Sequence, residues 1–402
     1  MDRMTLPPAA WREREGLARL CDVLGAAEGH VRFVGGAVRD TLLGIDVADI
    51  DLATPLAPED VLDRLRAAGI RAVPTGLAHG TITAILPGGS PVEVTTLRRD
   101  VSTDGRHATV AFTDDWREDA ARRDFTINAL YADPLTGEIV DYFGGREDLA
   151  AQRVRFIGDP LQRIAEDHLR ILRFFRFHAR FGDEIDHAGL EACATRANDL
   201  MALSRERIAS ELLKLLVAQH AVPVVELIVE RGIFLPVLPE IGAQGVERLA
   251  VLAEREAAAG VTGDAIRRLS ALLPRDPAAA EDVGARLKLS KIDRRRLISA
   301  AQSAGDEPAE VIAYRLGQAL AIDRLLLSER PVTETASLTD WTSPILRLTG
   351  GALVERGVRK GPDVARLLRS VEEQWIAEGF PDAARVAAIA DDSVAQWLLA
   401  TR

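Results

Sequence analysis

The chain has 402 residues and a formal net charge of -11, with 47% hydrophobic and 28% charged residues. This length allows two to four domains with a substantial buried core, and the composition is that of an ordinary soluble protein. The acidic balance argues against a uniformly basic nucleic-acid-binding protein, so any RNA contact must come from local patches.

Two further features of the sequence bear on the cellular compartment of the protein. No apolar run is long enough to cross a bilayer, and the N-terminus lacks the apolar core of a signal peptide. We therefore expect a cytoplasmic protein without a membrane partner. Cys21 and Cys193 are too few for a disulfide framework or a cysteine-rich metal site, and their apolar neighbours predict small core residues.

The first part of the chain predicts a mixed α/β region. The predicted elements are one helix over 1–27, a strand at 31–34, a short helix at 37–43, a strand at 50–53, a helix at about 58–68 and strands near 70–73, 81–86 and 92–97. The polar, turn-rich segment 100–109 predicts a mobile loop.

Beyond about residue 158 every convincing segment predicts a helix. Apolar residues recur at helical spacing in the segments 161–181, 203–218, 222–234, 245–256, 264–272, 311–327 and 363–377. The fold class is therefore α+β, with a small mixed-sheet head at 1–150 and an all-helical remainder. We expect a helical neck at 151–220 and a helical body and tail at 221–402.

A pair of carboxylates follows the first glycine pair. Gly35-Gly36 precedes a short helix, and Asp49-Ile50-Asp51 begins the next predicted strand. Residues two apart in a strand point to the same side, so both acids are expected to face one site. Two convergent carboxylates bind Mg²⁺ when phosphate oxygens complete its shell, and the glycines let the backbone approach a triphosphate. An isolated Asp-x-Asp is more often a surface turn.

Glu93 is a third acidic candidate. It lies in the strand-like segment Pro91-Val92-Glu93-Val94-Thr95. Two alternatives remain open for it: a third metal ligand, or a side chain on the solvated face of an edge strand.

Four motifs in a fixed order then carry a family resemblance. They are Gly35 to Asp40 with Asp49 and Asp51, Arg122 to Ala129 (Arg-Arg-Asp-Phe-Thr-Ile-Asn-Ala), Asp141 to Leu149 (Asp-Tyr-Phe-Gly-Gly-Arg-Glu-Asp-Leu), and Glu166 to Arg173 (Glu-Asp-His-Leu-Arg-Ile-Leu-Arg). The head resembles the polymerase-β-like nucleotidyltransferases, specifically class II tRNA CCA-adding enzymes and bacterial poly(A) polymerases. The resemblance covers about residues 28–215.

The fourth motif suggests how bases are chosen. Asp167 and Arg170 are three residues apart and would share a helix face. A carboxylate accepts from the exocyclic amine of cytosine or adenine, and a guanidinium donates to the adjacent ring nitrogen. Uracil and guanine present a carbonyl beside an N–H instead, so neither the carboxylate nor the guanidinium finds a matching partner. From the spacing alone, a surface ion pair without function would be the preferred interpretation. The resemblance reverses that preference, because the family uses the matching positions to select bases.

The resemblance implies a set of functional residues. Asp49 and Asp51 would bind metal, with Glu93 as a further catalytic carboxylate, and Mg²⁺ would be the cofactor. The residues implied in nucleotide binding are Gly36, Arg39, Arg123, Asp167, Arg170, Arg173 and Arg176. Arg123 or Arg173 is the better candidate for the triphosphate, because a guanidinium is a fork-shaped donor.

The same motifs leave the product open. The segment Thr75 to Thr81 is similar to the CCA-adding form, and it lacks the basic segment usual in bacterial poly(A) polymerases. CCA addition to tRNA from CTP and ATP is therefore favoured over poly(A) synthesis. An inactive RNA-binding relative is a further alternative, against which the intact Asp49 and Asp51 argue.

The RNA site is expected in the helical body. Residues 285–296 hold six basic residues and one acid, which predicts contacts to phosphates. The residues predicted to bind RNA are Lys288, Lys291, Arg294, Arg295 and Arg296. A solvated basic face is the alternative, and no stable protein partner is indicated.

Overall fold

All β-strands of the described part of the chain lie before residue 142. The computed structural model describes residues 4–103 and 108–400. The strands are β1 Arg32–Val34, β2 Asp51–Thr54, β3 Arg71–Gly76, β4 Thr81–Ile85, β5 Pro91–Thr96, β6 Arg98–Thr103, β7 Ala108–Phe112, β8 Leu130–Ala132 and β9 Ile139–Asp141. The mixed α/β head predicted from the sequence is confirmed.

Seven of these strands form one sheet in the order β3-β4-β5-β2-β1-β8-β9. β2 and β5 are parallel, and the other neighbouring strands are antiparallel. In β5 the side chains of Val92 and Val94 are buried and Glu93 between them is exposed, as the alternation of a strand requires. β5 lies inside the sheet, so Glu93 is not on an edge strand.

The described residues after β9 form only helices. The helices of the chain are α1 Leu17–Val23, α2 Gly36–Leu42, α3 Pro58–Ala67, α4 Trp116–Ala121, α5 Gly145–Ala150, α6 Pro160–Glu166, α7 Arg170–Phe181, α8 His187–Thr195, α9 Arg205–Leu216, α10 Ala221–Glu230, α11 Ala243–Ala258, α12 Ala265–Leu272, α13 Pro277–Arg286, α14 Lys291–Ala300, α15 Ala309–Leu316, α16 Gln318–Leu326, α17 Val332–Ala336, α18 Gly350–Glu355, α19 Pro362–Ala377 and α20 Ala383–Ala400. Short 3-10 turns connect several of them.

Three predicted helices are interrupted in the structure. The N-terminal one consists of a 3-10 turn at Ala10–Glu13 and α1, separated by Gly16 at φ 84°. The segment 311–327 divides into α15 and α16 at Gly317, whose φ is 88°. The segment 161–181 divides into α6 and α7 around Asp167, whose φ of -148° and ψ of 105° are those of extended backbone.

The segment predicted as a mobile loop is largely a hairpin. β6 and β7 pair antiparallel, with Arg98 opposite Phe112. The expectation of an irregular loop over 100–109 is wrong for the strand residues at 100–103 and 108–109. Residues 104–107 lie outside the described part of the chain.

Aromatic rings join the sheet region to α7. Phe125 follows α4, and its ring lies 4.9 Å from that of Phe156. Phe156 in turn stacks on Phe174 of α7 at 5.5 Å. Tyr142 and Phe143, which follow β9, pack instead against the buried cluster of the head around Tyr131. The packing of α7 against the head therefore rests on phenylalanines.

A tight turn connects β9 to α5. The Asp141 carboxylate accepts hydrogen bonds from the backbone N–H groups of Phe143, Gly144, Gly145 and Arg146. A Cβ on Gly145 would lie 2.2 Å from the carbonyl oxygen of Thr126. The start of α5 therefore lies in direct backbone contact with the 3-10 turn at Thr126–Asn128.

The chain divides into two compact units. One comprises Met1–Val246 with Arg286–Leu289, and the other comprises Glu247–Ala285 with Ser290–Arg402. The second unit contains its own apolar clusters, one around Leu325 and Leu338 and another around Val371 and Ile389. The predicted limits at 150 and 220 fall inside the first unit and stay predictions.

Two smaller expectations can be compared with the structure. Cys21 and Cys193 are both buried, as predicted for core residues. Burial raises the pKa of the Cys21 thiol to about 12. Among the described helices none combines the length and the apolar character that a membrane crossing requires.

Candidate active site

The turn after β1 brings the backbone close to a pocket. Gly35 has φ 67° and ψ -120°, a conformation that side-chain-bearing residues rarely adopt. It directly precedes α2, from which Arg39 donates to Asp40 at 2.7 Å and to the Oδ1 atom of Asn128. The guanidinium of Arg39 also lies 4.4 Å from the ring centre of Phe181. Arg39 is therefore held between the head and α7.

Three acidic residues cluster where β2 begins. Asp51 is the first residue of β2 and lies opposite Glu93 of β5 in the parallel register, so both side chains are on one face of the sheet. The pKa of Asp51 is raised to about 6, mainly by burial and next by the charge of Glu93. Arg123 opposes this increase, and Asp49 adds to it.

The position of Asp49 differs from the prediction. β2 starts at Asp51, so Asp49 precedes the strand and strand alternation does not govern its direction. The strand was predicted one residue too early because Ile50 is buried like a strand residue. Asp49 is nevertheless close enough for its charge to raise the pKa of Asp51.

This acidic cluster fits a divalent cation. Like charges beside a largely buried carboxylate disfavour its ionised form, and a divalent cation would relieve that repulsion. Within the described residues, no group of three or more His, Cys, Asp or Glu side chains is placed to hold a metal ion. A cation that takes most of its ligands from phosphate and water does not need one.

A pocket of about 440 Å³ lies beside Asp51. It is lined by Gly35, Gly36, Arg39, Asp51, Arg98, Arg122, Arg123, Asp124, Asn128, Asp167, Arg170, Arg173 and Phe177. Six arginines against three aspartates make the lining positive, which suits a polyanion such as a triphosphate. The structure therefore brings Asp51 together with Arg123, Arg170 and Arg173.

Asp119 orients the arginines at the end of α4. It accepts hydrogen bonds from Arg122 at 2.8 Å, from Arg123 at 3.1 Å and from the Tyr131 hydroxyl at 2.7 Å. Burial alone would raise the pKa of Asp119, but the charges of Arg123 and Arg122 and the tyrosine hydrogen bond lower it to about 2. Arg123 is thus fixed at the pocket wall by a buried carboxylate.

Asp124 connects the head to α7. Its carboxylate accepts from the Nδ2 atom of Asn128 at 2.9 Å and from the Nε atom of Arg173 at 2.7 Å. Burial raises the pKa of Asp124, but Arg173 and the hydrogen bonds outweigh that effect and lower it to about 2. Because Asn128 also accepts from Arg39, a continuous hydrogen-bonded chain runs from α2 to α7.

Asp167 and Arg170, which were predicted to read the base, are arranged differently from the predicted helix face. Asp167 lies in the break between α6 and α7, whereas Arg170 is the first residue of α7. Asp167 binds Arg207 of α9 through both oxygens, at 3.1 and 3.0 Å, and Arg170 binds Glu166 at 2.7 Å. Asp167 and Arg170 therefore form no ion pair with each other, although both line the pocket.

Arg176 is directed elsewhere. It donates to Glu211 of α9 at 2.5 Å, stacks on Phe177 at 4.2 Å and does not line the pocket. Together with Arg207 and Asp167, this pair fastens α9 to the segment that precedes and includes α7. A part for Arg176 in nucleotide binding stays a prediction.

The predicted RNA-binding residues fall into two groups. Arg296 is largely buried and binds Asp323 and Asp264, and Arg294 binds Glu281. Lys288 binds Glu206 at 2.7 Å. Lys291 and Arg295 are exposed on α14, and no ion pair to either occurs within the described residues. The sequence could not show this division, because the partner acids are distant along the chain.

Several lining residues were not singled out from the sequence. Arg122 was given no function, whereas Asp124 and Asn128, four residues apart, were predicted to fix the shape of the motif and to contact the ribose. Arg98 lies at the start of β6 and donates to the carbonyl oxygen of His79 at 2.8 Å. A basic residue directly after a strand that bears Glu93 is the signal that could have identified it.

Comparison with known families identifies two segments. Residues 31–155 match the family described as Poly A polymerase head domain. Residues 184–244 match the family described as Probable RNA and SrmB- binding site of polymerase A. The first match contains the acidic cluster and Arg123, and neither match by its description separates CCA addition from poly(A) synthesis.

Similar proteins extend the relationship over nearly the whole chain. CCA tRNA nucleotidyltransferase 1, mitochondrial, of Mus musculus is 37% identical over 390 residues, covering 91% of this chain and 87% of the relative. The Homo sapiens protein of the same name is 36% identical over 386 residues, with the same coverage of both chains.

Solved structures agree in fold. The Bacillus stearothermophilus CCA-adding enzyme in complex with CTP has a TM-score of 0.70 at 26% identity, covering 96% of this chain and 98% of that one. The Thermotoga maritima CCA-adding enzyme complexed with tRNA has a TM-score of 0.69 at 20% identity, covering 95% of each chain. With the relatives above, these matches show that the chain belongs to the CCA tRNA nucleotidyltransferase family.

Proposed function

We propose that this chain adds cytidine, cytidine and adenosine to the 3′ end of tRNA, using CTP and ATP. The observation that carries the proposal is the pocket in which Asp51 lies beside six arginines that include Arg123, Arg170 and Arg173. Supporting it, the mouse and human relatives are named CCA tRNA nucleotidyltransferases, and the Bacillus stearothermophilus structure contains CTP.

In each cycle the 3′ oxygen of the RNA forms a bond to the α-phosphorus of the nucleotide. The bond from that phosphorus to the bridging oxygen breaks, pyrophosphate leaves, and the hydroxyl proton is released. The chain's own part is to hold the two reactants in line. Arg123 and Arg173 bind the triphosphate, and the Gly36 backbone with Arg39 positions the nucleotide.

Asp49 and Asp51 are the proposed ligands of Mg²⁺, with Glu93 as a further catalytic carboxylate beside them. When bound, the ion supplies positive charge to the triphosphate and lowers the pKa of the attacking hydroxyl. Their clustering and the raised pKa of Asp51 support the assignment. The sheet register favours Glu93 as a third carboxylate over the alternative of a purely solvated side chain.

Asp167 and Arg170 are the proposed readers of the base. Both line the pocket beside Arg173. The Asp167 carboxylate is one-third exposed even while it binds Arg207, so it can accept an exocyclic amine. A mismatched uracil or guanine would leave such groups without partners, at a cost of about 1–3 kcal/mol for each buried group.

The expected organisation follows the same proposal. We assign the head to 1–150, the nucleotide-selecting neck to 151–220 and the RNA-binding body and tail to 221–402. Lys291 and Arg295 are the exposed members of the basic segment, which supports them as phosphate contacts. A cytoplasmic location stays a prediction, because the mouse and human relatives are named as mitochondrial.

The test uses purified protein with Mg²⁺, CTP, ATP and a tRNA that ends before CCA. We expect three nucleotides, with the sequence CCA, to be added to the 3′ end of the tRNA. A ladder made from ATP alone on unrelated RNA would indicate a poly(A) polymerase. RNA binding without any extension would indicate the inactive relative, and both results would contradict the proposal.

A further inference from the structure

Arg163 of α6 lies behind the pocket wall and joins three groups. Its Nη2 atom donates to the carbonyl oxygen of Arg122 and, at 2.8 Å, to that of Arg123. Its Nη1 atom binds the carboxylate of Glu166. The side chain is largely buried, and it is not among the residues that line the pocket.

The two carbonyls belong to the end of α4. A helix leaves its last carbonyl groups without partners inside the helix, and a positive charge is favourable at that end. Arg170 donates to the same Arg122 carbonyl at 3.1 Å and to Glu166 at 2.7 Å. Arg163 and Arg170 therefore form one clamp over the end of α4, with Glu166 between them.

The clamp connects the two sides of the proposed nucleotide site. The side chains of Arg122 and Arg123 face the pocket on one side, and Asp167 follows Glu166 directly on the other. The carbonyl oxygen of Arg163 also accepts from Arg170 at 2.7 Å. Movement of the Arg163 guanidinium would thus displace the phosphate-facing backbone relative to the break that holds Asp167.

We propose that Arg163 is a positioning residue that fixes the distance between the triphosphate side and the base-reading side of the pocket. This inference rests on the proposed nucleotide transfer. Arg163 contacts neither reactant in it. Its guanidinium is needed because a planar fork can serve two carbonyls and a carboxylate at once, whereas the single ammonium of lysine cannot hold all three in the same geometry.

The test compares Arg163→Lys with Arg248→Lys. Arg248 has the same chemistry far along the chain, since it donates to the carbonyl oxygens of Ala271 and Leu273 at 2.9 and 2.8 Å. For Arg163→Lys we expect KM for both CTP and ATP to rise about tenfold or more, because misplaced groups lose that much. Discrimination against UTP should fall, while KM for tRNA stays unchanged. Arg248→Lys should change thermal stability only.

Nucleotide binding without turnover gives a second measurement. The dissociation constant for CTP, taken from the CTP-induced rise in Tm, should increase in Arg163→Lys by the same factor as KM. If Arg163→Lys does not fold, Glu166→Gln tests the same clamp from its other side and should give the same pattern.

The outcomes separate the two proposals. An unaltered chain that adds no nucleotides contradicts the proposed function. Suppose that the unaltered chain is active and its folded clamp variants keep nucleotide KM, CTP affinity and base discrimination within twofold of the original values. Then only the proposed positioning role of Arg163 is contradicted. A lower Tm with those three quantities unchanged also overturns it, because Arg163 would then serve stability only.

Discussion

Arg207 donates from one nitrogen to both carboxylate oxygens of Asp167, at 3.1 and 3.0 Å. Arg207 lies on α9 and Asp167 in the break before α7, forty residues apart in sequence. Asp167 is thus held by another helix and by the N–H of Leu169 at 3.1 Å. Under the proposed base-reading role, this contact restricts the rotation of the Asp167 carboxylate.

The first prediction concerns that contact. Arg207→Gln should release Asp167 and lower the preference for CTP over UTP about tenfold, the equivalent of one charge-assisted hydrogen bond. The measurement is kcat/KM for each nucleotide on the same tRNA. Arg231→Gln is the control, because Arg231 binds Glu191 at the surface. An unchanged preference in Arg207→Gln would show that Asp167 keeps its position without Arg207.

The acidic cluster gives the second prediction. Asp51→Ala and Asp49→Ala should each lower nucleotide addition by more than about a hundredfold, because electrostatic stabilisation of the triphosphate is lost. Affinity for tRNA should remain close to that of the unaltered chain. Asp46→Ala removes an exposed acid from the preceding loop and should leave activity intact. Full activity of Asp51→Ala at any Mg²⁺ concentration would exclude Asp51 as a ligand.

Arg170 gives the third prediction, in which selectivity and stability change together. Arg170→Ala should damage the choice of base more than metal binding. It also removes three hydrogen bonds, those to Glu166 and to the carbonyl oxygens of Arg163 and Arg122, so the free energy of unfolding should fall by about 2–3 kcal/mol. Urea unfolding and nucleotide competition measure the two effects separately. If neither C nor A incorporation changed, Arg170 would not read the base.

The fourth prediction follows from the low pKa of Asp119. This pKa is about 2 in the folded chain and 3.8 ordinarily, so the ionised carboxylate stabilises the fold above pH 3.8 and that stability is lost as the pH falls toward 2. Asp119→Asn should cost about 2 kcal/mol at pH 7 and about half of that at pH 3. Urea titrations at both pH values provide the comparison.

A control variant identifies the cause of this pH dependence. Asp63→Asn alters an exposed carboxylate paired with Arg66 and should change stability little at either pH. If the cost of Asp119→Asn were the same at pH 7 and pH 3, the buried charge would not be its source.

The fifth prediction concerns the exposed basic residues of α14. Replacing Lys291 and Arg295 by Gln should weaken tRNA binding and reduce the slope of log affinity against log salt by about 1 to 2. Arg366→Gln is a matched control, since Arg366 is exposed in the same unit but pairs with Asp363. A double variant with unchanged affinity and slope would leave these residues as a solvated basic face.

Much of the head was predictable because its strands are short apolar runs between glycines and acids. The break between α6 and α7 at Asp167 could not be predicted, because apolar residues continue at helical spacing from Ile164 to Ile171 across it. The β6–β7 hairpin was missed because β6 is largely polar and the turn signal Asp104-Gly105 follows it in the sequence, although β7 is mostly apolar. Hydrophobic periodicity thus predicted that 161–181 and 311–327 are helical, but not the interruptions within them.

The candidate site shows the same limit. The motifs identified Asp51, Arg123 and Arg170 as members of one site, and all three line one pocket. Arg123 and Arg170 each pair with an acid four residues earlier, Asp119 and Glu166, which spacing alone could have indicated. The bonds from Arg173 to Asp124 and from Arg170 to the Arg122 carbonyl join distant segments, and local pattern could not show them.

The close approach of Gly145 to Thr126 has a consequence for sequence tolerance. Even the methyl group of alanine would overlap the Thr126 carbonyl, which belongs to the turn that precedes Asn128 and the pocket wall. In a survey of all substitutions at each position, 145 should accept glycine alone, while Gly242, with open space around its Cβ direction and no left-handed φ, should accept more replacements. Intolerance at 145 would then mark a backbone contact and not a reacting group.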